Sequence, residues 1–407
     1  MTSAFNKSFV FFQNLVIFQM MASITKFLDG LTLAVLAEEH TNPVEMFYCW
    51  KRFQELGARV WLIGTDRYDY IDEAQDAFRV EKLIQEVSRI YFDGLLIPGG
   101  LGPEKLRTHP QVLELVRDVH RRGKVIGAIC HGQQVLISAG NLLKGRKAVA
   151  AWSMVDDLIQ TGSIHTQDRA VRDGNIITSI FPFDLPIFSK LILETIAEIE
   201  KRTLPSDYGK ILENKTFAIL ADQGTDTHQY HYLKYRLIEE GAAVLTIGRK
   251  SGKNVKLGSS RFPWAEMGID VPIDRDLENL NPIKSDDFAF DRGYLPLTAH
   301  DLSGLILPGG IGTWLIRGHK GLHRLIQNML EQNKLVASIE RGAKILLSAG
   351  VAKGRRITCS PACKDDLIYG GASVEDAPIS KDGSLITAMD TAAITRFVEE
   401  IVKHYRV

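Results

Sequence analysis

A cysteine and a histidine stand together at a sharp turn that ends an apolar run. Cys130 and His131 follow the apolar segment 125–129 and precede a helical pattern over 132–139. Such a strand-to-helix turn, a nucleophile elbow, pushes its central side chain out above the sheet. The start of the helix should lower the pKa of Cys130, and His131 can move protons near neutral pH. This predicts nucleophilic thiol chemistry, with the backbone N–H groups of Gly100 and His131 as an oxyanion hole.

The turn occurs twice in the chain, but its central residue differs. Pro-Gly-Gly precedes each turn, and 31 residues separate Gly99 from Cys130 and Gly309 from Glu340 (130 − 99 = 340 − 309). Four further motifs recur between the copies: Ser-Ala-Gly (138–140 and 348–350), Lys-Gly-Arg (144–146 and 353–355), Asp-Asp-Leu-Ile (156–159 and 365–368) and Asp-Gly-x-x-Ile-Thr (173–178 and 382–387). These repeats are too long for a solenoid and predict a tandem domain pair. Only the first copy has a potential nucleophile, because Glu340-Arg341 occupies the second turn.

The elements around each turn alternate between short apolar runs and helical patterns. In the first copy, strands are predicted at 31–37, 59–63, 94–97 and 124–129, and helices at 43–56, 81–90, 111–121 and 132–139. This alternation predicts an α/β domain, a mostly parallel sheet with helices on both faces. In such sheets ligands bind outside the carboxyl ends of the strands, where both Pro-Gly-Gly and the Cys-His pair are expected.

The predicted domain boundaries follow the repeat. The first domain covers 31–200, a linker covers 201–214 and the second domain covers 215–407. The second copy is longer because it carries an insertion at 249–302, for which a lid, an interface and a surface loop all stay open. An extension, 1–30, precedes the first domain.

Within the extension, residues 8–22 are apolar but too few to span a bilayer. They fit an accessory helix, or an upstream start with the natural Met at 20 or 21. A cleaved export signal is the weaker alternative.

Composition narrows the function classes. The 407 residues contain 49 Lys and Arg against 49 Asp and Glu, so no charge excess points to nucleic acid or an anionic membrane. Four cysteines make no disulfide framework in a chain of this length, and we expect a reducing, cytoplasmic location. Cys359 and Cys363 lack a second ligand pair, so no zinc site is predicted. The chain also lacks a Walker-type phosphate loop, and no cofactor is expected.

Taken together, Pro-Gly-Gly, Ala-Ile-Cys-His-Gly-Gln-Gln, Ser-Ala-Gly, Leu-Lys-Gly-Arg-Lys and Asp-Asp-Leu-Ile resemble the ThiJ/PfpI family. That family includes the parkinsonism-associated deglycase, glyoxalase III enzymes and PfpI-type peptidases. The resemblance covers both copies and implies two tandem flavodoxin-like domains related to class I glutamine amidotransferases. One departure is Trp152, which stands where the family usually has Pro.

The resemblance also implies an acid beside the thiol. Family members place a Glu twelve residues before the Gly that ends the first helix, and Glu45 stands at that distance from Gly57. Glu45 would be a protonated acid or proton shuttle, with a raised pKa. The same count from Gly241 gives Gln229. The second copy, with Gln229, Gly310, Glu340 and Arg341, is therefore expected to be a degenerate pseudo-domain, or else a ligand site of another kind.

Three functions follow from the thiol and the resemblance. The leading hypothesis is a cofactor-independent enzyme acting on a small reactive carbonyl compound, either glyoxalase III-like (methylglyoxal to lactate) or a deglycase. The alternatives are a PfpI-like peptidase or amidase and a non-enzymatic redox or stress sensor. Family members usually dimerise, and the tandem chain is expected to satisfy that interface internally as a pseudo-dimer, with further homo-oligomerisation left open.

Overall fold

The computed structural model describes residues 27–249, 253–258, 269–277 and 297–406. The apolar segment 8–22 and much of the insertion lie outside these residues. The chain divides into two compact units, one of Met1–Glu73 with Ala77–Tyr208 and one of Ala74–Asp76 with Gly209–Val407. Within the described residues, no helix combines the length and apolar character needed to cross a membrane.

The first unit is built on a seven-stranded sheet with the order β10-β11-β7-β6-β1-β2-β5. All neighbours in it are parallel except β10 and β11. The strands of the unit are β1 (Thr32–Leu36), β2 (Arg59–Gly64), β3 (Asp69–Ile71), β4 (Ala77–Arg79), β5 (Lys82–Leu83), β6 (Gly94–Ile97), β7 (Val125–Ile129), β8 (Lys147–Ala148), β9 (Ile164–His165), β10 (Ala170–Asp173) and β11 (Ile176–Ser179). Its α-helices are Pro43–Glu55, Gly102–Leu106, Pro110–Arg121, Gln133–Ser138, Val155–Gln160 and Leu185–Ile199.

The second unit repeats this sheet strand for strand, in the order β21-β22-β18-β17-β12-β13-β16. Its described strands are β12 (Thr216–Leu220), β13 (Ala243–Gly248), β14 (Asn254–Lys256), β15 (Asp270–Pro272), β16 (Arg275–Asp276), β17 (Gly304–Leu307), β18 (Leu335–Ile339), β19 (Arg356–Ile357), β20 (Ser373–Val374), β21 (Ile379–Asp382) and β22 (Leu385–Ala388). The described α-helices are Thr227–Glu239, Gly312–Ile316, Lys320–Glu331, Ala343–Ser348, Lys364–Tyr369 and Ile394–Tyr405. The predicted fold class, two tandem and mostly parallel α/β sheets, is confirmed.

Burial explains why the sequence signal for the central strands is strong. Every residue of β6, β7, β17 and β18 is buried. Strands covered on both faces read as continuous apolar runs rather than as alternating ones. The central strands are also those whose carboxyl ends carry Pro-Gly-Gly and the two elbows.

One predicted helix is wrong. Residues 81–90 form the edge strand β5 and a single 3-10 turn, Ile84–Val87. Lys82 and Leu83 pair with the end of β2, and the carboxylate of Glu86 accepts a hydrogen bond from Leu83 N at 2.6 Å. These contacts favour a short strand over a longer helix. In the second unit, β16 of the insertion pairs with β13 at the same edge of the sheet.

Candidate active site

Cys130 occupies a strained turn between β7 and the helix Gln133–Ser138. Its φ of 63° lies in the left-handed region, which is rare for a residue with a side chain and costs on the order of 1–3 kcal/mol. Packing maintains the turn: a Cβ on Gly132 would lie 2.2 Å from the carbonyl oxygen of Ile97. The expected elbow geometry is therefore present at Cys130.

The first helix places Glu45 beside this thiol. The Asn42 side chain accepts hydrogen bonds from the backbone N–H groups of Val44 and Glu45, each at 3.1 Å, and Pro43 pre-sets the first turn. Glu45 is fully buried, and its Oε2 accepts a hydrogen bond from Gly99 N at 2.6 Å. Burial raises the pKa of Glu45 to about 8, against the opposing effect of the Gly99 N–H. The carboxyl is therefore predominantly protonated at pH 7.

Gly99 is what allows the acid and the thiol to approach each other. A Cβ at this position would lie 2.5 Å from Cys130 Cβ and 2.9 Å from Glu45 Oε2. Any other residue would have to push the two groups apart. The first Gly of Pro-Gly-Gly is thus a requirement of the site itself.

The thiol does not have the lowered pKa that the elbow predicts. Cys130 is 8% exposed, and burial raises the pKa of its thiol, as does the nearby Glu45 carboxyl when ionised. The backbone N–H groups of Gly100 and His131 act in the opposite direction on this pKa, but they do not outweigh burial. The prediction fails because desolvation of the buried sulfur is the largest effect on this pKa and disfavours the thiolate.

His131 links the thiol to a serine. Its Nδ1 lies 3.4 Å from Cys130 Sγ, and its Nε2 lies 2.9 Å from the hydroxyl oxygen of Ser153. The imidazole is therefore within reach of the thiol proton, as its position next to Cys130 predicts. No sequence motif pointed to Ser153.

The second elbow keeps the backbone and changes the chemistry. Glu340 has a φ of 58°, close to that of Cys130. Gln229 Oε1 accepts from Gly309 N at 2.6 Å, the counterpart of the contact between Gly99 and Glu45. Glu340 Oε2 accepts from Gly310 N and from Gln229 Nε2, each at 3.1 Å. Arg341 forms an ion pair with Glu340 Oε1. The chain's own carboxylate thus occupies the second site, which has no nucleophile.

Two further side chains near the elbow loop and on the first helix are those of Trp152 and Cys49. The Trp152 side chain is 79% exposed, so it does not fill the site. Cys49 is buried, and burial raises the pKa of its thiol, which fits a packing role. In the part of the chain that the structure describes, no group of three or more His, Cys, Asp or Glu side chains is placed to hold a metal ion.

Asp184 is a residue that sequence reasoning missed. Its carboxylate is buried, accepts a hydrogen bond from Phe181 N at 3.1 Å and, through its charge, raises the pKa of Glu45. Its effect on Glu45 is electrostatic and smaller than that of Glu73, and its carboxylate also forms an ion pair with Arg169. No motif pointed to Asp184, because only the fold brings its charge within range of Glu45.

The chain is similar to known proteins over both domains. The protein DJ-1 homolog D of Arabidopsis thaliana is 27% identical over 344 residues, which are 82% of this chain and 82% of that protein. The deglycase PfpI of Pyrococcus furiosus is 33% identical over 38% of this chain and 93% of its own length. Protein/nucleic acid deglycase 2 of Escherichia coli is 37% identical over 40% of this chain and 96% of its own length. The model of the DJ-1/PfpI family matches residues 32–195 and 215–404, so the chain belongs to this family.

Proposed function

We propose that the first domain is a cofactor-independent cysteine enzyme for small reactive carbonyl compounds, glyoxalase III-like or deglycase-like. Its substrates would be free α-oxoaldehydes such as methylglyoxal, or their early adducts with amines. The observation that carries the proposal is the convergence on Cys130 of a neutral carboxyl, an imidazole and two backbone N–H groups. Two of the relatives are named deglycases, which supports the same class of substrate.

The first step starts from a protonated thiol, because burial raises the pKa of Cys130. As the sulfur attacks the aldehyde carbon, the thiol proton passes to His131 Nδ1, 3.4 Å away. Negative charge develops on the aldehyde oxygen, where the N–H groups of Gly100 and His131 stabilise it. Proton transfer from Glu45 then gives a hemithioacetal.

The second step moves a proton within the substrate. Glu45, now ionised, removes the hydrogen from the carbon that carries sulfur, and an enediol forms. As the enediol forms, His131 gives the proton it holds to the ketone oxygen and becomes neutral again. Glu45 returns its proton to the neighbouring carbon and then takes up the proton of the hydroxyl on the carbon that carries sulfur. The product of these transfers is a thioester of a 2-hydroxy acid. Water hydrolyses the thioester, supplies the acid oxygen and restores the thiol proton. Methylglyoxal plus water thus becomes lactate, because one carbon is oxidised as its neighbour is reduced.

Incubation of the protein with methylglyoxal and an assay for lactate test the proposal. The Cys130→Ala variant is the control, because it removes the sulfur and leaves the second domain unchanged. Loss of turnover in C130A is expected, and equal turnover by both proteins overturns the proposal. An amine adduct of methylglyoxal, assayed for release of the free amine, distinguishes deglycase from glyoxalase activity.

The peptidase and sensor alternatives use the same sulfur and stay predictions. Peptide cleavage that survives the substitution of Cys130 would argue against a PfpI-like peptidase. Mild peroxide treatment followed by mass spectrometry tests the sensor, for which selective oxidation of Cys130 is required.

A further inference from the structure

We propose that Ser153 is a positioning residue that holds His131 in the tautomer able to accept the Cys130 proton. The effect on catalysis rests on the proposed function, whereas the effect on the imidazole does not. Nothing in the motifs of the first elbow assigns a role to this serine. It comes from the loop that follows β8, 23 residues after Cys130 (153 − 130).

The two ring nitrogens of His131 face different partners. A neutral imidazole has one N–H donor and one acceptor nitrogen, and the partner of one nitrogen decides the state of the other. The Ser153 hydroxyl oxygen lies 2.9 Å from His131 Nε2 and can accept its N–H. Nδ1 then carries the lone pair, and it is Nδ1 that lies 3.4 Å from Cys130 Sγ. A hydroxyl can accept from Nε2–H or donate to a bare Nε2, so the contact alone allows both tautomers. The thiol decides between them: its retained proton can be donated to Nδ1, and Ser153 then accepts from Nε2–H. Thiol and serine together satisfy the form of the imidazole that receives the thiol proton.

The position of the serine is well defined by the backbone. Ala151 N donates to the carbonyl oxygen of Cys130 at 3.2 Å, which fixes the loop against the elbow two residues before Ser153. Met154 N in turn donates to Ala151 O at 2.8 Å and closes a 3-10 turn over Trp152–Met154. The hydroxyl is thus presented to the imidazole by a turn that is itself attached to Cys130.

The second copy supplies an internal comparison. At the equivalent position, 209 residues later, it has Ala362, which has no hydroxyl (362 − 153 = 209). The same copy has Glu340 in place of the cysteine and Arg341 in place of the histidine. The second copy therefore lacks the thiol, the imidazole and the hydroxyl at these three positions.

The expected effect on the reaction is intermediate. General-base assistance by a positioned side chain contributes roughly 10²–10⁴-fold to rate. Without Ser153 the imidazole stays next to the thiol but divides its population between tautomers and ring orientations. We expect kcat for methylglyoxal to fall about 5- to 30-fold with KM nearly unchanged, since the hydroxyl does not contact the substrate.

The experiment uses the full chain and four proteins: wild type, Ser153→Ala, Ser153→Thr and Ser88→Ala as a matched control. Ser88 is exposed and lies in the same domain. The readouts are the ¹⁵N chemical shifts of His131, which report the tautomer, the rate of Cys130 alkylation by iodoacetamide at pH 7, and kcat and KM for methylglyoxal.

The proposal requires a shift of the S153A tautomer signal away from Nε2–H, an alkylation rate about tenfold lower and a fall in kcat. S153T should recover most of each effect, and S88A should match wild type. Wild-type ¹⁵N shifts and alkylation rate in S153A overturn the proposal, as does a failure of S153T to restore them. If wild type itself shows no turnover of methylglyoxal, the proposed function fails, but the tautomer and alkylation measurements still decide the role of Ser153.

Discussion

Replacing Glu45 by Gln should change how the stability of the first domain depends on pH. The second domain indicates that the substitution fits: Gln229 makes the same contact with Gly309 N, at 2.6 Å, that Glu45 makes with Gly99 N, also at 2.6 Å. The amide keeps the shape and the accepted hydrogen bond and removes only the titration.

The size of the effect follows from the pKa. Burial raises the pKa of Glu45 from its ordinary value of 4.5 to about 8. Between these values the folded chain retains a proton that the unfolded chain has released, so folding stability falls as pH rises. Each pKa unit corresponds to about 1.4 kcal/mol, and the full interval corresponds to about 5 kcal/mol. Below pH 4.5 both states are protonated and the cost disappears.

Hydrogen exchange of the β6 and β7 amides at pH 5 and pH 8 measures this stability in the first domain alone. From pH 5 to pH 8, the free energy of opening should fall by about 4 kcal/mol more in wild type than in E45Q. Glu104→Gln controls for the loss of one exposed carboxylate. Equal pH dependence in wild type and E45Q would refute the reasoning, because it would mean that burial does not raise the pKa of Glu45.

Three further predictions concern the two elbows. Gly99→Ala should lower the free energy of unfolding in urea by about 1–3 kcal/mol, because the new Cβ would lie 2.5 Å from Cys130 Cβ. Gly318→Ala is the control and should be neutral, because a Cβ there has nothing within 4 Å. Equal unfolding midpoints of the two variants would contradict this prediction. Glu340→Ala should lower the unfolding free energy by about 1–3 kcal/mol, because Gly310 N–H and Arg341 lose their partner. Added formate should restore part of this stability in thermal unfolding. No response to formate would count against an anion site. Oxidation of Cys130 by peroxide should be slow at pH 7 and faster at higher pH, since burial raises the thiol pKa; rapid oxidation at pH 7 in peptide mapping would disagree.

The repeat and the buried strands made the fold predictable from sequence. Continuous apolar runs identify central strands because both faces of those strands are covered, and the shared spacing of Gly99–Cys130 and Gly309–Glu340 reveals the duplication. The edge of the sheet was harder: β5 has two residues, too few for a periodic signal. Periodicity alone does not distinguish Glu45 from an ordinary first-turn residue, and only the resemblance pointed to it.

The thiol pKa and the distance between Ser153 and His131 could not be predicted from the sequence, for physical reasons. The elbow motif shows that a helix follows Cys130, and the helix dipole predicts a lowered thiol pKa. Desolvation of the sulfur, in contrast, depends on every atom packed around it. Ser153 differs from Ala362 at the matching position of the repeat, and comparing the two copies residue by residue would have drawn attention to it. Its distance to His131 depends on how the loop after β8 folds back onto the elbow.

The left-handed backbone at Glu340 has a consequence for how this chain can change over time. The strained turn is also present in the copy that has Glu340 in place of a cysteine. In both copies a Cβ on the glycine two residues after the turn would lie 2.2 Å from a carbonyl oxygen, that of Leu307 for Gly342 and that of Ile97 for Gly132. The surrounding packing thus determines the backbone conformation of the turn, and the side chain at position 340 does not. Position 340 can therefore exchange one reactive or charged group for another by single substitutions without refolding the turn. The second copy therefore offers a preformed turn that can present a different side chain at the carboxyl end of the sheet.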